Sequence, residues 1–215
     1  MHSSAHTMLD LLPRVPVMPI ILIEEADTAV GVANALVEGG ITVFEVLLRT
    51  PVALDAIHRM RTQVPQAVVG AGTLMGAADV QRALDAGAQF GVSPGLTPEL
   101  AQAARERHLP LLPGVWTASE VMQATDFGYE AVKLFPASGL LGLTQIEQLQ
   151  GVFPRVKFCP TGGIKPEHIP RYLALPGCPM VGGSWVTPPA LVAARDYAAI
   201  TALARQATAL GAARG

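Results

Sequence analysis

Lysine is scarce in this 215-residue chain: only Lys133, Lys157 and Lys165 occur, so it does not serve as general surface charge. Lys133 lies in AVKLF (131–135), between Val132 and Leu134, with no polar residue after it until Ser138. An apolar setting disfavours an ammonium group, and a neutral amine is the nucleophile that adds to a ketone to form a Schiff base. The other reading is a structural lysine, paired with a carboxylate or facing solvent from an edge strand. Lys157, between Val156 and Phe158, is the weaker candidate, because a strand can turn it outward between helices.

Glu45 stands in FEVLLRT (44–50), flanked by Phe44 and Val46. A buried carboxylate is costly unless partnered. Beside a Schiff-base lysine it can shuttle the protons that carbinolamine formation, dehydration and enamine formation require. Otherwise it is one half of a supporting ion pair with Arg49 or Lys133. Two glycine pairs occur late in the chain, in PTGG (160–163) and GGS (182–184). Glycine lets backbone N–H groups approach an anion without a Cβ in the way, as phosphate loops require. Arg49 and Thr73 offer a forked donor and a hydroxyl, a set suited to a carboxylate. Taken singly, Arg49 is a loop cation and Thr73 a cap for a helix beginning near Ala77.

The elements that must position these groups recur with one rhythm. Apolar, β-branched runs lie at 17–23, 43–48, 67–71, 90–92, 109–112, 131–135, 156–159 and 180–181. Their starts are roughly 20 to 26 residues apart, the length of a strand–loop–helix unit. They are continuously apolar, as strands covered on both faces are. Helical patterns fill the gaps: 27–38 ends at Gly39-Gly40, 78–86 ends at Gly87, and Thr97-Pro98-Glu99 starts another. A long Ala-rich helical region is expected over 188–210. Eight alternations without a break in composition predict an α/β fold, a single (β/α)8 TIM barrel over residues 9–215 after a flexible tail at 1–8; an open doubly wound sheet is the alternative. In a barrel the chemistry sits at the C-terminal ends of the strands, and the second and sixth runs, carrying Glu45 and Lys133, face each other across it.

Composition narrows the function. Fifteen Lys plus Arg against 17 Asp plus Glu give a net charge of −2, which leaves no basic footprint for nucleic acid. Half the residues are hydrophobic, which excludes disorder. No apolar run approaches the ~20 residues of a membrane span. The N-terminus has no Lys or Arg ahead of an apolar stretch, so no secretory signal is expected and the cytoplasm is the expected location. Cys159 and Cys178 are too few for a disulfide framework and read as reduced core thiols. The five histidines show no metal-ligand spacing, so no metal is expected.

Together these segments resemble the 2-keto-3-deoxy-6-phosphogluconate (KDPG) and 4-hydroxy-2-oxoglutarate (KHG) aldolase family. The matching stretches are FEVLLRT (44–50), GAGT (70–73), VSPGLTPEL (92–100), LPGVWTASE (112–120), VKLFPAS (132–138), FCPTGGI (158–164) and VGGSWVTP (181–188). They span seven of the eight strand ends. The resemblance implies a class I, metal-independent aldolase without a cofactor, a (β/α)8 barrel usually assembled as a homotrimer, acting on a small phosphorylated 2-keto-3-deoxy acid. It implies Lys133 as the Schiff-base lysine and Glu45 as the general acid/base. Arg49 and Thr73 match groups holding the pyruvyl carboxylate, and Pro94, Phe135 and Thr161 match the pocket lining. Gly162, Gly163, Gly183 and Ser184 match the phosphate site. Arg49-Thr50 and Pro160-Thr161 favour the gluconate branch over the related 6-phospho-2-dehydro-3-deoxygalactonate aldolases. Leu47, Leu134 and Trp116 depart from the family pattern. A phosphosugar-binding regulator without chemistry, or a barrel isomerase without a covalent step, are the readings from other classes.

Overall fold

In the computed structural model, which describes residues 7–138 and 141–212, every one of the eight apolar runs carries a strand. The strands are β1 (Val17–Ile21), β2 (Val43–Leu47), β3 (Val68–Gly72), β4 (Phe90–Val92), β5 (Leu111–Leu112), β7 (Ala131–Leu134), β8 (Lys157–Pro160) and β9 (Val181–Gly183), with β6 (Gly114–Val115) added just beyond the fifth run. All their pairings are parallel. Helices alternate with the strands along the chain. They are α1 (Met8–Leu11), α2 (Ala29–Glu38), α3 (Ala53–Gln63), α4 (Ala77–Asp85), α5 (Pro98–Glu106), α6 (Ala118–Asp126), α7 (Leu141–Val152), α8 (Ile169–Leu173), α9 (Pro189–Ala193) and α10 (Tyr197–Ala212).

The strand order departs from the expected single closed barrel. Among the described residues the ladders form a six-stranded sheet, β5-β4-β3-β2-β1-β9, and a three-stranded one, β6-β7-β8. The fifth run is the reason on one side. Pro113 has no N–H to donate, so the run divides there: β5 pairs back to β4 and β6 pairs forward to β7. The chain still crosses this seam, since the Pro113 carbonyl accepts from the Lys133 N–H at 2.8 Å. On the other side no ladder joins β8 to β9, but the Phe158 N–H donates to the Gly177 carbonyl at 2.7 Å.

Helix ends follow the sequence signals closely. Thr97 caps α5 by accepting from the Leu100 N–H, and Thr117 with Glu120 forms a capping box on α6. Gly40, Gly87 and Gly128 follow α2, α4 and α6 in the left-handed region that glycine adopts freely. The expected C-terminal helical region consists of α9 and α10: Arg195 takes φ +55° between them, and the Asp196 carboxylate accepts from the Ala199 N–H at 3.0 Å, starting the second helix. Of the expected tail, Thr7 and Met8 belong to the start of α1, where Thr7 caps the helix and Met8 is buried; residues 1–6 lie outside the described residues. α10 packs on α2, its Thr201 and Thr208 hydroxyls donating to the Ala35 and Gly39 carbonyls.

Candidate active site

Side chains alternate between the two faces of a strand, so the pairing register tells which residues share a side. Ile20, Glu45, Gly70 and Phe90 are paired in sequence across β1 to β4. Gly114, Lys133 and Cys159 are paired across β6 to β8. Glu45 is wholly buried and Lys133 is 6% exposed. Burial pushes the Glu45 carboxyl above its ordinary value, and the positive charges of Lys133 and Arg49 act against that rise. The Cys159 thiol is pushed up to about 12, by burial first; it too feels the Lys133 charge and the Glu45 charge. The polar residues of the two sheets therefore share one interior. The ion pair envisaged for Glu45 is not formed: neither carboxylate oxygen has a hydrogen-bond partner among the described residues.

Glycines make the room for this arrangement. A Cβ on Gly70 would clash with the Phe90 ring, and one on Gly72 would lie 2.5 Å from Glu45 Oε2. On β9, a Cβ on Gly182 would overlap the Thr161 hydroxyl. Thr161 is buried, its hydroxyl donating back to the Cys159 carbonyl at 3.3 Å. Lys133 Nζ sits 4.9 Å from the centroid of the Phe135 ring, within cation–π range.

At the rim, Arg49 is exposed in the turn after β2 and its Nε donates to the Thr73 hydroxyl at 3.2 Å. Thr73 is not a helix cap; Gly76 stands at that position before α4. Instead Thr73 holds φ +68°, a left-handed conformation unusual for a β-branched residue. Pro94 is half-buried, in a turn that the buried Ser93 closes by donating to the Gly95 carbonyl at 2.7 Å. Gly162 (φ +97°) and Gly163 (φ +73°) lie directly against the segment after β7: a Cβ on them would meet Phe135 Cε2 at 3.0 Å and Ser138 Cβ at 2.9 Å. Gly183 is buried and Ser184 exposed at the start of a one-turn 3₁₀ segment, Ser184–Val186.

Two residues that the sequence left open are now placed. Lys157 is half-buried with its Nζ 3.4 Å from the Pro176 carbonyl, away from the Glu45–Lys133 interior. Trp116 is half-buried and its backbone is pinned on both sides, the N–H to Glu120 and the carbonyl to Gln145, each at 2.7 Å. What sequence reading missed is the space-making role of the glycines at 70, 72 and 182 and the nearness of the buried Cys159 to Lys133 and Glu45. None has a one-dimensional signal, because each is defined by a side chain brought from another strand. Among the described residues no group of three or more His, Cys, Asp and Glu side chains gathers as a metal site, and no helix is long and apolar enough to cross a membrane.

A lysine and a glutamate lie buried together among parallel strands, with the Arg49–Thr73 pair and the glycine pairs at 162–163 and 182–183 near the strand ends, an arrangement that a lyase working through a Schiff base can use. Residues 9–203 match the family model for KDPG and KHG aldolases. A KHG/KDPG aldolase of Escherichia coli is 45% identical over 92% of each chain. The crystal structure of the KDPG aldolase of Zymomonas mobilis with 3-phosphoglycerate superposes with a TM-score of 0.91, at 45% identity over 96% of this chain and 97% of that one. A KDPG aldolase of Legionella pneumophila, with pyruvate captured as a covalent carbinolamine, gives a TM-score of 0.90 at 40% identity over 93% and 97%. The chain belongs to the KDPG and KHG aldolase family.

Proposed function

We propose that this chain is a class I aldolase that reversibly cleaves KDPG to pyruvate and D-glyceraldehyde 3-phosphate, the aldol step of the Entner–Doudoroff route, and also 4-hydroxy-2-oxoglutarate to pyruvate and glyoxylate. The observation that carries this reading is the burial of Lys133 beside Glu45 in one interior. Lys133 Nζ adds to the C2 ketone, giving a carbinolamine that loses water to an iminium. A base then removes the C4 hydroxyl proton, the C3–C4 bond breaks toward the iminium, and the aldehyde leaves. The enamine takes a proton at C3 and the iminium is hydrolysed, releasing pyruvate and the free lysine. Glu45, whose burial favours its protonated form, is suited to deliver and recover these protons.

Arg49 and Thr73, already joined by a hydrogen bond, are assigned to the pyruvyl carboxylate, with Pro94, Phe135 and Thr161 around that moiety. The backbone at Gly162, Gly163 and Gly183 and the exposed Ser184 hydroxyl are assigned to the substrate phosphate. The two sheets are read as one (β/α)8 barrel closed across the Pro113 and β8–β9 seams, forming a single catalytic domain. The buried Cys159 and Cys178, which form no disulfide among the described residues, fit a reducing cytoplasm. A homotrimer, implied by the resemblance, is tested by light scattering on the eluting protein, with three chain masses expected and one chain mass against it.

The experiment that tests the function is borohydride reduction in the presence of pyruvate, followed by peptide mass spectrometry. A reduced pyruvyl adduct on Lys133, absent in Lys133→Ala, is expected. An adduct on Lys157 or Lys165 would move the nucleophile. No adduct in folded protein would refute the covalent mechanism.

A further inference from the structure

We propose that Gly72 is a positioning residue for Glu45: the side chain missing at 72 is the space in which the Glu45 carboxyl is held at its working position. This rests on the aldolase reading of the site. Gly72 is the last residue of β3 and is paired with Leu47 on one side and Val92 on the other. A Cβ built there would lie 2.5 Å from Glu45 Oε2, 3.0 Å from its Cδ and 2.9 Å from Leu47 Cδ2. Glu45 and Leu47 lie two apart on β2, so both side chains lean over the same face of β3.

Two facts make this a matter of position and not of backbone conformation. Gly72 does not sit in the left-handed region, unlike Gly162 or Gly163, so its backbone accepts an L-residue. And neither oxygen of Glu45 has a hydrogen-bond partner among the described residues, so no hydrogen bond from the described chain fixes the carboxyl. What fixes it is packing, against β3 where Gly72 leaves room and beside Leu47. An alanine methyl at 72 forces the carboxyl to rotate or withdraw, because contacts under 3.0 Å to a Cβ are not tolerated.

The test is a set of three variants, Gly72→Ala, Glu45→Asp and the two combined, assayed for KDPG cleavage beside wild type. Displacing a proton-transfer group by about an ångström costs on the order of 100-fold, so Gly72→Ala is expected to lose about that much in kcat while KM for KDPG moves less than about threefold. Aspartate is one methylene shorter and withdraws the carboxyl from the added methyl. The double variant is therefore expected to turn over at least as fast as Glu45→Asp alone, and about tenfold faster than Gly72→Ala. A Gly72→Ala enzyme with wild-type kcat, or a double variant carrying the product of both single losses, would overturn the proposal. Should Gly72→Ala fail to fold, the double variant decides alone, by folding and matching Glu45→Asp or by failing to. Borohydride trapping of wild type with pyruvate separates the two ideas: no adduct sinks the aldolase reading, whereas an adduct with an indifferent Gly72→Ala sinks only this one.

Discussion

Thr73 places a β-branched residue at φ +68°, and the cost of that placement is measurable separately from what its hydroxyl does. The left-handed conformation brings Cβ against the neighbouring carbonyl, at roughly 1–2 kcal/mol for a residue with a side chain and nothing for glycine. Comparing Thr73→Gly with Thr73→Ala isolates this, because both remove the hydroxyl and its 3.2 Å bond from Arg49 Nε. In an ordinary loop alanine is the more stabilising of the pair by about 0.4–1 kcal/mol, since it restricts the unfolded chain. At position 73 the two effects oppose, and their difference leaves glycine more stable than alanine by about 1 kcal/mol. Urea unfolding with a shared slope reads this directly.

Activity should order the same variants differently. Thr73→Ser keeps the hydroxyl and is expected to stay near wild type in kcat/KM. If Thr73 holds the pyruvyl carboxylate as proposed, alanine and glycine both lose a hydrogen bond to a charged group, about 1.5–3 kcal/mol or roughly 10- to 160-fold in kcat/KM. Glycine thus improves the fold and harms the reaction at one residue. An alanine variant as stable as the glycine one, or a serine variant as slow as alanine, would refute the reasoning at its conformational or its chemical step respectively.

Burial raises the Glu45 carboxyl, so over part of the pH range the folded protein holds a proton that the unfolded chain has released. Stability from this group is present in acid and is lost as pH rises through the folded-state value. Glu45→Gln should therefore match wild type below about pH 4 and become progressively the more stable above it, while losing about 10²- to 10⁴-fold in kcat; urea midpoints across pH check the sign. His108, at φ +53° after α5, stands where Gly40, Gly87 and Gly128 follow their helices, so His108→Gly should raise stability by about 1 kcal/mol, seen as a Tm gain of about 2–4 °C. Ellman's reagent should titrate neither Cys159 nor Cys178 in native protein and both after denaturation, since both are buried; a fast native thiol would contradict the core placement.

The strands were legible because a strand covered on both faces is written as an uninterrupted apolar run, and seven of the eight expected runs coincide with single strands to within two residues. The fifth was read as ending at Leu112. Its continuation, β6, was hidden behind Pro113, whose missing N–H suggests a stop although its carbonyl still serves β7. The C-terminal region reads as helical because its alanines favour helix throughout. The break at Arg195 depends on a left-handed residue that sequence does not announce, although Asp196 carries the signal of a new N-terminus. Lys133 and Glu45 stood out because a charged residue inside an apolar run is expensive wherever the run is buried.

What sequence could not supply is the reason for GAGT (70–73), and that reason is tertiary. Gly70 accommodates the Phe90 ring from β4, Gly72 accommodates the Glu45 carboxyl from β2, and Thr73 turns the chain so that its hydroxyl reaches Arg49. Each residue answers to a different neighbour, and each neighbour arrives from a different stretch of chain. The segment has no apolar period and no capping pattern because its composition is set by what the adjoining strands project into it. Position 70 can thus change only together with Phe90, and position 72 only together with Glu45. On the proposed reading Gly72 serves Glu45 as a space, and the double variant at 45 and 72 measures that coupling where neither single substitution can.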